Sequence, residues 1–538
     1  MKTTPTLAQL QSEHVVMELE CIDRMYLNAY VPQLTSEGGI AAFCRGYLGH
    51  RFASTKQAVP MTKAFLKAID AFIKREGLEL VRFRKRERKD DVMQRELRRF
   101  KKSGKTEGVV FVGVAQEKVR VPRTTRKHFD GGGTIPWIIY STAMVNMYYF
   151  YCYDRDFGPF FLKFCSYFPY PAKLCLNGHE FLKCQLQQRG IAFEALDNGL
   201  LSCADVKAAQ RIADGLSAAR INFFFRKWLA QLPHPYSAQD RAAGYRYDLS
   251  ILQAEFSLTQ IWDRANHGRA FFEELIRENL DLGRPEQVQL IFARKMQRKT
   301  ATDGRCRTRI ITAGVVPSLH VYYKHTHLKQ YYKEGRGLRT ETTINDTYDF
   351  DVGRLLKNLP ALHQIGFAAN RRVLEVERLS HDCHIGAAAF DQLQKPAEVD
   401  GQHASALPFG QERVQALLTV LVMFCLQPDG FRNRQLRPLL AQLLGLPEAQ
   451  ISTGRMSYDL RRLRLHGIIE RIPKTQRYRL TIFGLKTALF YSRVYQRLLR
   501  PGLSQLLDPR TEDSAPLPAA FLKLQKIIGA HVAEKVAA

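Results

Sequence analysis

Between Gly131 and Tyr153 the chain carries no charged residue. A stretch of that length either crosses a bilayer as a helix or is buried inside a globular protein, and the two outcomes lead to different classes of fold. Pro136, Ser141, Thr142, Asn146 and the block Tyr148-Tyr149-Phe150-Tyr151 interrupt the continuous apolar character that a span requires, so the stretch is expected to be a buried strand. The hydrophobic fraction of 45% and charged fraction of 25% are those of ordinary globular chains. At 538 residues, more than one core is expected, in roughly two to four domains.

The charge balance narrows the partners. Lys and Arg number 80 against 52 Asp and Glu, a formal net charge of +28, which attracts polyanions. DNA and/or RNA is the first partner to expect, and an anionic membrane surface the second. Ten cysteines without a C-x-x-C pair, and no secretory pattern in the first 19 residues, suit a reduced cytoplasmic compartment.

The pattern along the chain predicts an α/β or α+β multidomain protein. Residues 1–230 read as a basic mixed α/β domain, with helices expected at 7–20, 61–75 and 92–103 and strands at 78–84, 108–115, 146–153 and 160–167. Residues 235–385 read as a second, α+β domain. There Ser250 to Ala265 and Gly268 to Leu280 look helical from apolar residues at three- and four-residue spacing, before a strand-rich basic stretch. The segment 386–411, with Pro396, Gly401, Pro408 and Gly410, reads as a linker, and 501–538 as a tail with one short helix.

The order within 412–500 is the most distinctive. Helices are expected over 412–426, stopped by Pro428-Asp429-Gly430, over 433–444, stopped by Gly445 and Pro447, and over 453–466, stopped by Gly467. Two short strands, 468–472 and 478–481, then flank the turn Pro473-Lys474-Thr475-Gln476. This order resembles the winged-helix family. Met456, Leu460 and Leu463 form an inward stripe on the third helix, leaving Arg455, Tyr458, Arg461 and Arg462 on the other side. The resemblance implies that this helix enters the major groove of DNA while the wing, with Lys474 and Arg477, contacts the neighbouring backbone.

Two further basic stretches are candidates for nucleic-acid contact. The first contains Arg82, Arg84, Arg86 and Arg88, then Arg98 and Arg99. In Leu80-Val81-Arg82-Phe83-Arg84 the alternation places arginines on one face of a strand. The second runs through Arg305, Arg307 and Arg309 into a region where His325, His327, Tyr331 and Tyr332 stand among lysines, the mixture on which single strands stack and track.

No phosphate loop, zincin helix or nucleophile elbow is present. Asp91, after a basic strand, and Glu117-Lys118, after the apolar run from Val109, resemble a degenerate restriction-endonuclease-like pattern that would hold Mg²⁺. Asp154, Asp156, His179 and Glu180 have metal-ligand chemistry, and His179 could serve as a general base. Equally, Asp154 could shape a turn and Asn177 cap a helix. His325 and His327 before Tyr331 and Tyr332 resemble the histidine–tyrosine pairing of replication initiators and relaxases, and His381-Asp382-Cys383-His384 could contribute part of a zinc site.

The ordered set Tyr148-Tyr149-Phe150-Tyr151, Asn177-Gly178-His179, Leu196-Asp197-Asn198 and Leu338 to Asn345 is similar to a widespread family of uncharacterised bacterial proteins, over most of the chain. That resemblance implies a bacterial source and a two-part body, and assigns no catalytic residue. The expectation is therefore a bacterial nucleic-acid-binding protein of a mobile element, with either a metal-dependent nuclease or transposase-like activity or the role of a non-catalytic DNA-binding regulator or structured-RNA binder.

Overall fold

A computed structural model describes residues 7–83, 89–128, 133–279, 307–311, 318–333, 336–381, 383–423, 425–426 and 430–499, with isolated positions between 520 and 530. Among the described residues thirteen strands carry the body: β1 (Val15–Tyr30), β2 (Leu80–Arg82), β3 (Gly108–His128), β4 (Thr134–Asp154), β5 (Gly158–Cys165), β6 (Ala172–Asn177), β7 (Phe193–Leu196), β8 (Gly199–Cys203), β9 (Asp248–Trp262), β10 (Arg307–Ile311), β11 (Ser318–Tyr323), β12 (Thr326–Lys333) and β13 (Gly337–Ile344). Eleven of them form one sheet in the order β10-β11-β12-β13-β9-β1-β6-β5-β4-β3-β2, while β7 and β8 make a separate hairpin.

That sheet corrects the expected boundary near residue 230, because β1 pairs with β6 on one side and with β9 on the other. The strands of 1–230 and of 235–385 are therefore halves of one structure. The helix expected over 7–20 ends at His14, and β1 starts at Val15. From there Met17, Leu19 and Cys21 point inward while Glu18 and Glu20 alternate outward, a period of two that only a strand satisfies. Likewise Ser250 to Ala265 is mostly strand: β9 is a central strand covered on both faces, so its apolar residues fall on both sides and imitate helical spacing. The expected helices at 61–75, 92–103 and 268–280 are found at Val59–Glu76, Lys89–Lys102 and Ala265–Asn279.

Helices pack on both faces of the sheet: Val59–Glu76 sets Phe72 against Phe150, whereas Lys89–Lys102 buries Val92 with Phe111 and Tyr149 on the other side. Phe65, Phe150, Leu162, Phe164, Leu174, Phe181, Phe224 and Trp228 form the main core between the sheet and the helices Val59–Glu76, Gly178–Gln188 and Ala218–Gln231. Gly178 begins the second of these where a Cβ would stand 2.1 Å from the Ile22 carbonyl oxygen, so only glycine lets the helix start against β1. Helix Leu359–His381 packs over β9 and β13 on the side of Phe256, opposite the side on which Ser257 meets His179: Asn370 Nδ2 donates to the Phe256 carbonyl at 2.9 Å, and Phe256 meets Phe367 edge to face. No helix among the described residues is long and apolar enough to cross a membrane. The uncharged stretch from Gly131 is largely β4.

Beyond helix Leu359–His381 come Ala387–Leu393, a hairpin of Ala397–Val399 and Gln402–Ala404, and then helices Glu412–Met423, Asn433–Leu443 and Thr453–Leu465, the hairpin Ile469–Arg471 and Tyr478–Leu480, and helix Ile482–Arg493. The order expected over 412–500 is thus present. The segment 386–411 is more than a connection, since Leu393, Ala404 and Leu407 are buried in the same core as Val414, Leu460 and Leu485. Its glycines and prolines shape turns on that core. The tail expected over 501–538 lies largely outside the described residues.

Candidate functional site

The third helix of the C-terminal unit begins at Ser452, whose Oγ accepts the Arg455 amide at 3.2 Å, and buries Met456, Leu460 and Leu463. Its one acid, Asp459, also faces inward and pairs with Arg413 at 2.5 Å. Arg455, Tyr458 and Arg461 point outward as expected, and Tyr458 is 49% exposed. Arg462 does not: its Nε donates to the Ser405 carbonyl at 3.1 Å and its Nη2 to the Ala406 carbonyl, so it is buried. The reason is the packing of 405–411 on this helix, which covers position 462, one turn after the inward Asp459. Arg464, which the sequence reading missed, takes the fourth outward position, and its spacing of three from Arg461 was the available signal.

Lys474 is exposed at the hairpin turn with φ of 58°, in the left-handed region. Arg477 instead turns toward the body and donates to Asp351 at 2.8 Å, where Arg432 also binds at 3.3 Å. A cavity of about 510 Å³ lies between helix Leu359–His381 and this unit, lined by Arg371, Arg378 and Arg479 among the carboxylates Glu18, Glu375 and Glu470.

The two other basic stretches occupy opposite ends of the sheet. Arg82 is exposed on edge strand β2, and the adjoining helix Lys89–Lys102 exposes Arg98, while Arg99 and Arg95 flank Glu96 at 3.1 and 2.7 Å. Arg307 and Arg309 lie on the opposite edge strand, β10. Arg84, Arg86, Arg88 and Arg305 lie outside the described residues.

The carboxylate constellations do not assemble as the sequence suggested. Asp91 does not end a strand; it is exposed in the first turn of helix Lys89–Lys102. Glu117 and Lys118, being adjacent on β3, point to opposite faces. Lys163 donates to both Glu117 oxygens at 2.8 and 3.0 Å, the Tyr149 hydroxyl donates to Glu117, and Lys89 donates to Tyr149 at 2.6 Å. Desolvation works against ionisation of Glu117, but the Lys163 charge and these hydrogen bonds outweigh it and hold the carboxyl below its ordinary value.

Asp154 closes the β4–β5 turn. Its Oδ1 accepts the amides of Asp156 and Phe157 at 2.8 and 3.0 Å, and its Oδ2 accepts Lys227 Nζ at 2.7 Å and Trp228 Nε1 at 2.8 Å. Both oxygens are thus engaged in the turn and in anchoring helix Ala218–Gln231.

His179 lies elsewhere, in a buried network that unites the segments Asn177-Gly178-His179, Leu196-Asp197-Asn198 and Leu338 to Asn345. Arg339, with no exposed surface, reaches Asp23 at 2.5 Å, Glu341 at 2.6 Å, His179 Nε2 at 2.8 Å and the Asn198 carbonyl. Tyr331 donates to Glu341 at 2.9 Å, and Asn177 Nδ2 to Asn198 Oδ1 at 2.9 Å. Burial and the Arg339 charge push His179 well below its usual range, so it is a neutral ring, and its buried Nδ1 finds no partner among the described residues. The network crosslinks β1, β13 and the β6–helix junction from inside the fold.

The histidine–tyrosine pairing is likewise split. His325 binds Asp349 at 2.9 Å in the turn before β12, His327 stacks between His320 and Tyr322, and Tyr331 and Tyr332 face opposite sides of β12. In His381-Asp382-Cys383-His384, Asp382 and the His381 side chain lie outside the described residues.

One grouping the sequence reading missed has metal-ligand chemistry. His14 Nδ1 and His267 Nδ1 meet the two Asp263 oxygens at 3.1 and 2.9 Å, and the three donor atoms lie within 4.8 Å of one another. Only the four-residue spacing of Asp263 and His267 was legible beforehand, since His14 arrives from the far end of β1. No protein-family model, curated protein or solved structure matches this chain.

Proposed function

We propose that this chain is a nucleic-acid-binding protein whose segment 412–500 is a winged helix, laying helix Thr453–Leu465 on duplex DNA with Lys474 on the adjoining backbone. One observation carries the reading: the outward side of that helix holds Arg455, Tyr458, Arg461 and Arg464, while its only acid is turned inward and neutralised by Arg413. A helix surface with that composition attracts phosphate and offers donors to guanine edges. The body, with Arg82 and Arg98 exposed at one end, supplies further phosphate contacts to DNA or RNA, in keeping with the net charge of +28. The reading includes a cytoplasmic setting and a bacterial mobile element.

Binding without turnover is favoured over Mg²⁺-dependent cleavage, because Glu117 and Asp154 would have to release Lys163, Tyr149, Lys227 and Trp228 to take a metal ion. Fluorescence anisotropy with labelled duplex and single strands tests this. Arg455→Ala with Arg461→Ala is expected to weaken duplex binding by at least about 10-fold and to reduce the salt slope by about two. Undiminished binding by that variant would remove the winged-helix assignment, and strand scission on adding Mg²⁺ would restore the nuclease alternative.

A further inference from the structure

The β3–β4 hairpin outgrows the sheet that holds its base. Each strand has 21 residues and the pairing continues to His128 opposite Thr134, whereas β5 leaves β4 at Met147 opposite Cys165 and β2 leaves β3 at Arg82 opposite Val114. The outer part, 116–128 with 134–146, is a two-stranded ribbon about 40 Å long at about 3.3 Å per residue. One of its faces rests on the segment before helix Val59–Glu76: Thr124 Oγ1 accepts the Thr55 amide at 2.8 Å, Tyr140 donates to the Leu34 carbonyl at 3.2 Å, and Ile138 is buried. The opposite face presents Arg123 beside Ile139, Thr125 beside Trp137 and Lys127 beside Ile135. Trp137 and Ile139 are each 38% exposed, and Lys127 Nζ sits 4.5 Å from the Trp137 ring centre.

The charge of this ribbon is one-sided. Lys118, Arg120, Arg123, Arg126 and Lys127 lie on one strand, Arg123 and Lys127 on the face of Trp137 and Ile139, and Glu117 at the base is the ribbon's one acid. Cations flanking an exposed indole and an exposed aliphatic side chain complement a partner with phosphates at its rims and, between them, base edges that carry hydrogen-bond acceptors and thymine methyl groups. Two paired strands are about 5 Å apart, and a ribbon of that width enters the major groove of B-form DNA, about 12 Å across. The deep, narrow major groove of A-form RNA does not admit it.

We propose that the outer β3–β4 ribbon is a second DNA-reading element that seats its Arg123–Trp137–Ile139 face in the major groove of B-form DNA. This rests on the nucleic-acid reading above and makes the body a discriminator of DNA from double-stranded RNA. Arg123 and Lys127 meet phosphates at the groove rim, and Trp137 and Ile139 contact the base edges.

Of the three tryptophans, Trp228 and Trp262 are buried, so a change in accessibility to a soluble quencher reports on Trp137. The full chain is titrated with duplex DNA and with duplex RNA, following tryptophan quenching by acrylamide alongside anisotropy of the labelled nucleic acid. Expected are protection of one tryptophan by DNA and not by RNA, loss of that signal in Trp137→Phe, and at least about 10-fold weaker DNA binding with a salt slope reduced by about two in Arg123→Ala/Lys127→Ala. DNA binding with Trp137 equally accessible, and unaffected by the double variant, overturns the ribbon proposal and leaves the nucleic-acid reading standing. Absence of binding to every nucleic acid overturns both. Protection that rises with protein concentration and without DNA overturns the proposal in favour of contact between two copies of the chain.

Discussion

Replacing Glu377 with Gln is expected to stabilise the protein above mildly acidic pH. Glu377 lies on helix Leu359–His381 against the sheet, 2% exposed, and accepts Gln330 Nε2 at 2.9 Å. Burial raises its carboxyl from the ordinary 4.5 to about 8, against smaller opposing contributions from Gln330 and Arg378. An acid with a raised folded-state value keeps its proton in the native chain when the unfolded chain has already lost it. Its contribution to stability is therefore complete below the unfolded value near 4.5, declines as pH rises, and levels off above about 8. At about 1.4 kcal/mol per pH unit the full gap is worth roughly 5 kcal/mol, of which roughly 3 is already expressed at pH 7. A glutamine amide is the neutral isostere of the carboxyl, so Glu377→Gln should remove the decline.

Urea unfolding of both proteins at pH 5, 6, 7 and 8 measures the difference, and comparing them cancels the other titrating groups. The variant should gain little at pH 5 and roughly 3 kcal/mol by pH 7. A difference that stays constant across that range would refute the argument, because it would mean that Glu377 ionises in the folded chain as it does in water.

Arg339→Met removes the cation between Asp23 and Glu341 and should cost about 3–5 kcal/mol, seen as a lower calorimetric transition; an unchanged transition would mean that the network is not closed to water. Asp154→Asn should lose about 1–3 kcal/mol in urea unfolding as the Lys227 and Trp228 contacts weaken, and unaltered stability would return Asp154 to the catalytic candidates. Arg462→Ala should lower stability by about 1–3 kcal/mol, whereas Arg461→Ala should change stability by no more than about 0.5 kcal/mol while weakening DNA binding; the reverse pattern would invert the assigned faces of that helix.

Much of the local structure was legible from residue order alone. Three helices and a hairpin could be placed in 412–500 because proline and glycine punctuate them and the apolar spacing of Met456, Leu460 and Leu463 is unambiguous. Helix Val59–Glu76 and the strand character of 146–153 were equally evident. Local pattern failed where burial is two-sided, as in β9, and where alternation of charged and apolar residues was overlooked, as in β1. Helical phase could not separate Arg461 from Arg462, since adjacent residues differ by only about 100° and the packing of 405–411 decides which is covered.

What sequence could not supply was convergence. Asp23, His179, Asn198 and Arg339 are distant along the chain, and they meet only because β1 is inserted between β6 and β9 while β13 pairs with β9 on the far side. The same pairing separates Asp154 from His179 and brings His14 to Asp263. The stretch without charge from Gly131 to Tyr153 required a non-aqueous or paired environment by its composition alone. Only the length of β5 determined that its first half leaves the sheet as a ribbon and its second half lies in the core, because strand pairing is a contact between segments that no local preference encodes.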